Sequence, residues 1–173
     1  MIVHRTRAFI ATAALLFAAT TSVLQAEDYA VTTLAGAANV TTGADGVPGS
    51  FNNPYGVALD AAKNVYVADT QNNTIRRITP AGVVSTIAGV AGQDGSTNGT
   101  GTAVRFNFPI GLAVDAGGNI YVADGKNFTI RKITAGGVVS TLAGEPVQIG
   151  ATNGQGSAAR FFLPCGIAVD GSG

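Results

Sequence analysis

Between Gly56 and Gly89 the chain alternates apolar and polar positions in four short runs. In "GVALD" (56–60), Val57 and Leu59 alternate with Gly56, Ala58 and Asp60, the period of a strand with one buried face. "NVYVAD" (64–69), "TIRRIT" (74–79) and "VVSTIAG" (83–89) follow, each rich in β-branched or aromatic residues and bounded by turn formers. The connections "AAK", "TQNN" and "PAG" are too short for a crossover, so consecutive strands must pair antiparallel. The pattern predicts a four-stranded meander. One such sheet cannot bury both of its faces, and radial stacking of several sheets solves that problem while leaving only short edges.

The same pattern returns. Residues 51–105 align without a gap on residues 106–160, and 33 of the 55 aligned positions are identical. A third copy opens at Phe161 with "FFLPCGIAVDGSG". Ahead of the first copy, "YAVTTLAG" (29–36) matches the end of a repeat, "GVVSTIAG". Self-similarity at this period is the mark of a propeller or another repeat array.

The repeated residues carry a resemblance. Pro54, Gly56, Asp60, Asn64, Tyr66, Asp69, Asn72, Ile75 and Arg76 recur as Pro109, Gly111, Asp115, Asn119, Tyr121, Asp124, Asn127, Ile130 and Arg131. Pro164, Gly166 and Asp170 begin the series again. This pattern resembles the NHL repeat family of β-propellers, at a period longer than that family's usual forty-odd residues. The resemblance implies an all-β fold of four-stranded antiparallel blades, occupying residues 27–173. It also implies that "YAVTTLAG" is a closing strand for a last blade and that further blades follow Gly173. Repeats of this kind commonly act as binding surfaces. The expected function is therefore an exported scaffold for protein, peptide or carbohydrate ligands. The alternative is a calcium- or metal-dependent hydrolase or lyase, similar to gluconolactonases, with its catalytic residues in blades outside this chain.

Composition narrows this further. Twenty-four glycines, no tryptophan and 12% charged residues fit a turn-rich β protein. "MIVHRTR" followed by "AFIATAALLFAA" and "TTSVLQA" has the basic, apolar and small-residue regions of a leader cleaved after Ala26. Its apolar run of about a dozen residues is short of the about 20 needed to span a bilayer. Export to the periplasm, the medium or the cell surface is expected, with no stable membrane span after cleavage. Without Arg5 and Arg7, eight basic residues face ten acidic ones. That balance argues against nucleic acid as a partner. The single histidine, His4, lies in the leader, so the remainder of the chain has no imidazole for catalysis or metal binding. Cys165, equivalent to Tyr55 and Ile110, reads as a small apolar filler.

The acid–amide–arginine sets at Asp69, Asn72, Arg76 and at Asp124, Asn127, Arg131 could ligate calcium. Their recurrence fits better with turn and strand hardware present in every blade. Asp60, Asp115 and Asp170 read as turn caps, Phe51, Phe106 and Phe161 as wedges between blades, and Arg105 and Arg160 as pins for the glycine-rich inserts. No catalytic residue, metal ligand or cofactor is assigned, calcium being the one weak candidate. In an antiparallel blade the turns after strands two and four share one face of the disc, so "TQNN" and "GKNF" lie beside the long inserts. The copies differ most in those turns. Gln71, Asn73, Lys126 and Phe128 are the expected ligand contacts, since exposed loops on a rigid scaffold carry most binding functions.

Overall fold

The computed structural model of the chain describes residues 2–4, 30–37 and 41–170. The leader expected over residues 1–26 falls outside the described residues, apart from residues 2–4. Two compact units are present, Met1–Leu34 and Ala35–Gly173. In the first, β1 (Ile2–His4) pairs antiparallel with β2 (Ala30–Thr32). That pairing places part of the expected closing strand, residues 29–36, in a two-stranded ribbon.

The second unit holds the repeats. Its first blade is β3 (Pro54–Leu59), β4 (Val65–Asp69), β5 (Thr74–Ile78) and β6 (Val84–Ala88), paired antiparallel in that order. The second blade places β8 (Pro109–Val114), β9 (Ile120–Asp124), β10 (Thr129–Ile133) and β11 (Val138–Ala143) in the same order. The two-residue strand β7 (Gly99–Thr100) adds a fifth edge by pairing with Val138 and Val139. Its counterpart before the first blade is a bridge between Gly46 and Val84. Each insert therefore runs along the outer strand of the blade that follows it. The four-stranded reading holds for the repeat itself, and the fifth strand comes from insert residues whose Gly-Thr sequence has no strand signal.

Cross-strand register repeats as well. Val67 lies opposite Arg76, as Val122 lies opposite Arg131. Pleating sends alternate residues to opposite faces. Ala68, Ile75 and Ala88 of blade one bury with Leu112, Ile120 and Val122 of blade two, and Phe106 at 0% exposure completes the cluster. Burial of each large aliphatic group contributes about 1.5–3 kcal/mol, so the inter-blade core is the main cohesive element. Gly56 sits where a Cβ would run into the Ile110 carbonyl, and Gly111 where one would run into the Cys165 carbonyl. The repeated Pro-x-Gly is thus a close approach of one blade's inner strand to the next. Cys165 itself is exposed. Its segment meets blade two through the backbone.

Candidate functional site

The residues that recur in both copies form a buried frame. Asp69 and Arg76 are fully buried and paired at 2.8 Å; Asp124 and Arg131 are likewise buried, at 2.9 Å. Asp69 also accepts hydrogen bonds from the Asn72 amide (2.9 Å) and the Asn52 backbone N–H (2.7 Å). Asp124 accepts the same two from Asn127 and Asn107. The terminal guanidinium nitrogens also anchor the insert, while Nε of Arg76 and of Arg131 is buried without a hydrogen-bond partner among the described residues. Arg76 donates to the Ser50 and Ala44 carbonyls and to Asp45, and Arg131 to the Arg105 and Thr97 carbonyls and to Asn98. Phe51 and Phe106 lie under these guanidiniums at 5.3 and 5.2 Å. Burial pushes the Asp124 carboxyl up to about 6, against the downward pull of Asn127, the Asn107 N–H and Arg131.

Asp60 and Asp115 cap the turns after the inner strands. Each accepts from the backbone N–H and side-chain amide of Asn64 or Asn119, and from the hydroxyl of Tyr66 or Tyr121. At Asp115 the Asn119 amide is the main cause of a carboxyl held below its ordinary value. Desolvation raises Asp60, but the Asn64 and Tyr66 hydrogen bonds outweigh it and the net shift is downward. Arg105 donates to the Thr102 and Val104 carbonyls and to Gln93, which pins its insert. Asn72 and Asn127, both in Asn-x-Thr sequons, are buried and hydrogen-bonded within the frame.

Three of the four expected contact residues come together. Gln71, Asn73 and Lys126 line one cleft of about 620 Å³ with Asn52, Thr70, Asp94, Asn107 and Phe108. The turns after the second strands are short 3₁₀ segments, Thr70–Asn72 and Gly125–Asn127, each closed by a left-handed residue, Asn73 (φ 56°) or Phe128 (φ 58°). Asn adopts that conformation readily; phenylalanine does so at a cost of about 1–2 kcal/mol. Asn73 is partly frame. Its Oδ1 accepts the Phe108 backbone N–H at 2.8 Å, and the Thr70 hydroxyl donates to the Pro109 carbonyl at 2.7 Å, so both stitch blade one to blade two. Lys126 places its ammonium 4.6 Å from the centre of the Phe108 ring. Phe128 lies elsewhere, stacked on Phe162 with centroids 6.4 Å apart and planes 9° from parallel. Asp94, Asn52, Asn107 and Phe108 are lining residues that the strand pattern did not single out. Asp94 reaches the cleft because its backbone bridges Phe106, a contact visible only once the insert is folded back.

Residues 106–133 match the NHL repeat family model. The chain is 34% identical over 89 residues to human NHL repeat-containing protein 2, covering 50% of this chain and 12% of that protein. It is 33% identical over 84 residues to the Arabidopsis thaliana protein SUPPRESSOR OF QUENCHING 1, chloroplastic, covering 48% of this chain and 8% of the relative. A solved Bacteroides thetaiotaomicron structural genomics protein of unknown function superposes with a TM-score of 0.65 at 32% identity, over 72% of this chain and 32% of its own. An auxiliary nutrient binding protein from Bacteroides ovatus superposes with a TM-score of 0.59 at 23% identity, over 70% of this chain and 33% of its own, a likeness of fold alone. The chain thus spans about a third of the solved structures and a smaller share of the sequence relatives. Among the described residues, no helix is long and apolar enough to cross a membrane. Residues 106–133 carry an NHL repeat, and the chain folds as four-stranded antiparallel β-propeller blades.

Proposed function

We propose that this chain is part of an exported propeller scaffold that binds a protein, peptide or carbohydrate on the disc face bearing the β4–β5 and β9–β10 turns, without chemistry of its own. One observation carries the reading. Residues that differ between the copies converge on a cleft, while the chemically potent Asp–Asn–Arg sets are consumed inside the blades. A cleft of about 620 Å³ falls within the size range of ligand sites. The auxiliary nutrient binding proteins share this fold, which is consistent with a binding role.

The test is to probe the full chain on peptide and glycan arrays. A Gln71→Ser/Lys126→Ser/Phe128→Ser variant should lose at least tenfold in affinity for whatever binds, with an unchanged circular dichroism spectrum. Ala62→Ser and Gly117→Ser, in turns on the opposite face, should leave it unaltered. Equal losses from both sets, or none from the first, would refute the placement.

A further inference from the structure

We propose that Asn98 is a site of spontaneous deamidation, and that the aspartate formed there is held by Arg131 as Asp45 is held by Arg76. The two positions are structural equivalents. Arg76 Nη2 donates to Asp45 Oδ1 at 2.8 Å, and Arg131 Nη2 to Asn98 Oδ1 at 2.7 Å. A threonine of the outer strand donates to the same oxygen in each, Thr86 at 2.9 Å and Thr141 at 3.4 Å. Each is followed by a glycine of positive φ, Gly46 (110°) or Gly99 (143°), which pairs with Val84 or Val139 of the outer strand. Desolvation raises the Asp45 carboxyl, but hydrogen bonds from Thr86 and Arg76 outweigh it, so this place favours the ionised acid. Blade one therefore displays the product state that blade two reaches by losing one amide.

The sequence supplies the attacking group. Gly99 follows Asn98, and a glycine has no Cβ to keep its backbone nitrogen from the neighbouring side-chain carbonyl. Asn98 is exposed, and its amide nitrogen, the leaving group, has no hydrogen-bond partner among the described residues. Strand β7 (Gly99–Thr100) is two residues long at the sheet edge, so local fraying releases the Gly99 nitrogen. Arg131, fully buried and paired with Asp124, meanwhile keeps its hold on the Thr97 carbonyl and Asn98 Oδ1. In the reaction the Gly99 nitrogen bonds to Asn98 Cγ, the Cγ–Nδ2 bond breaks, and ammonia leaves with the proton given up by Gly99. A five-membered imide remains. Water then adds to one imide carbonyl and the ring C–N bond breaks, a proton of the water going to the Gly99 nitrogen. Addition at Cγ gives aspartate; addition at the backbone carbonyl gives isoaspartate. The guanidinium and the Thr141 hydroxyl polarise the Cγ carbonyl and stabilise the oxyanion formed there. The folded chain thus yields aspartate, whereas a free peptide opens mainly to isoaspartate. The new carboxylate turns a charge–dipole hydrogen bond into an ion pair like that of Asp45 with Arg76.

The experiment incubates the full chain, and in parallel a synthetic peptide of residues 78–105, at mildly alkaline pH, and follows the mass change of amide to acid. Trypsin releases residues 78–105 whole, between Arg77 and Arg105, and Asn98 is the only asparagine among them. A protease that cuts before aspartate but not before isoaspartate then reads the product. Conversion in the folded chain should give more aspartate than isoaspartate, with the reverse ratio in the peptide. The Asn98→Asp variant should melt no lower than the freshly purified chain, because Asp45 shows the carboxylate accommodated. Three results would each overturn the proposal: an amide that survives in the folded chain after the peptide has fully converted, isoaspartate as the main product of the folded chain, or a lowered midpoint in Asn98→Asp.

Discussion

The two seams of this molecule share a backbone and differ in almost everything else. At the first, side chains stitch the blades together. Thr70 and Asn73 reach across to the Pro109 carbonyl and the Phe108 N–H. At the second, the same positions are Gly125 and Phe128, which lack those groups, and Phe128 stacks on Phe162 instead. Beneath both seams, Asp–Asn–Arg frames with near-equal distances hold the strands and inserts. A frame that carries the turn geometry by itself leaves the residues above it free to change. A blade repeat can thereby keep its fold and vary its surface.

The sharpest way to break the comparison is to damage the frame. Arg131→Ala strands the Asp124 carboxylate at 0% exposure and removes the ties to Thr97 and Asn98. Loss of one partner of a buried pair costs about 3–5 kcal/mol, and urea denaturation should read that loss. Lys126→Ala, by contrast, should stay within about 0.5 kcal/mol. Next in size is blade spacing. Gly56→Ala and Gly111→Ala press a Cβ against the backbone of the following unit and should each cost about 1–3 kcal/mol. The same urea denaturation should read both losses. Smaller again is Asn73→Ala, which removes the acceptor of the Phe108 N–H and should cost about 1 kcal/mol. No such cost should follow Phe128→Asn, whose left-handed backbone suits asparagine.

Titration distinguishes Asp124 from the turn caps. Asp124 stands at about 6 against an ordinary 3.8, so the native state holds a proton that the unfolded chain has released. Its contribution therefore declines as pH rises from about 4 to 6 and is level above that. Asp60 and Asp115 are held below the ordinary value, so their stabilisation is present above it and is lost as pH falls. Carboxyl carbon chemical shifts followed from pH 2 to 8 would place Asp124 last among the three to ionise.

Local signals in the sequence were enough for the blade. Asp60 and Asn64 are four residues apart, and Asp69 and Asn72 three, so turn chemistry exposed both roles. The pairing of Asp69 with Arg76 followed from a strand period and a short turn. What stayed hidden was non-local. The Asn73–Phe108 hydrogen bond spans 35 residues, and no strand alternation reports which blade end meets which turn. Gln71 and Lys126 were recognised because they differ between copies; Asn52 and Asn107 were missed because they do not. Asp94 has no acidic counterpart in the second copy, where Ile149 takes its place, so no repeated motif flags it.

Hydrogen exchange of the full chain, with and without a ligand found on the peptide and glycan arrays, tests the central claim most directly. The account predicts slowed exchange at residues 70–73, 107–108 and 125–128, with no change in the turns at 61–63, 80–82, 116–118 and 135–137. Protection confined to those latter turns would place the ligand on the opposite face and contradict the account.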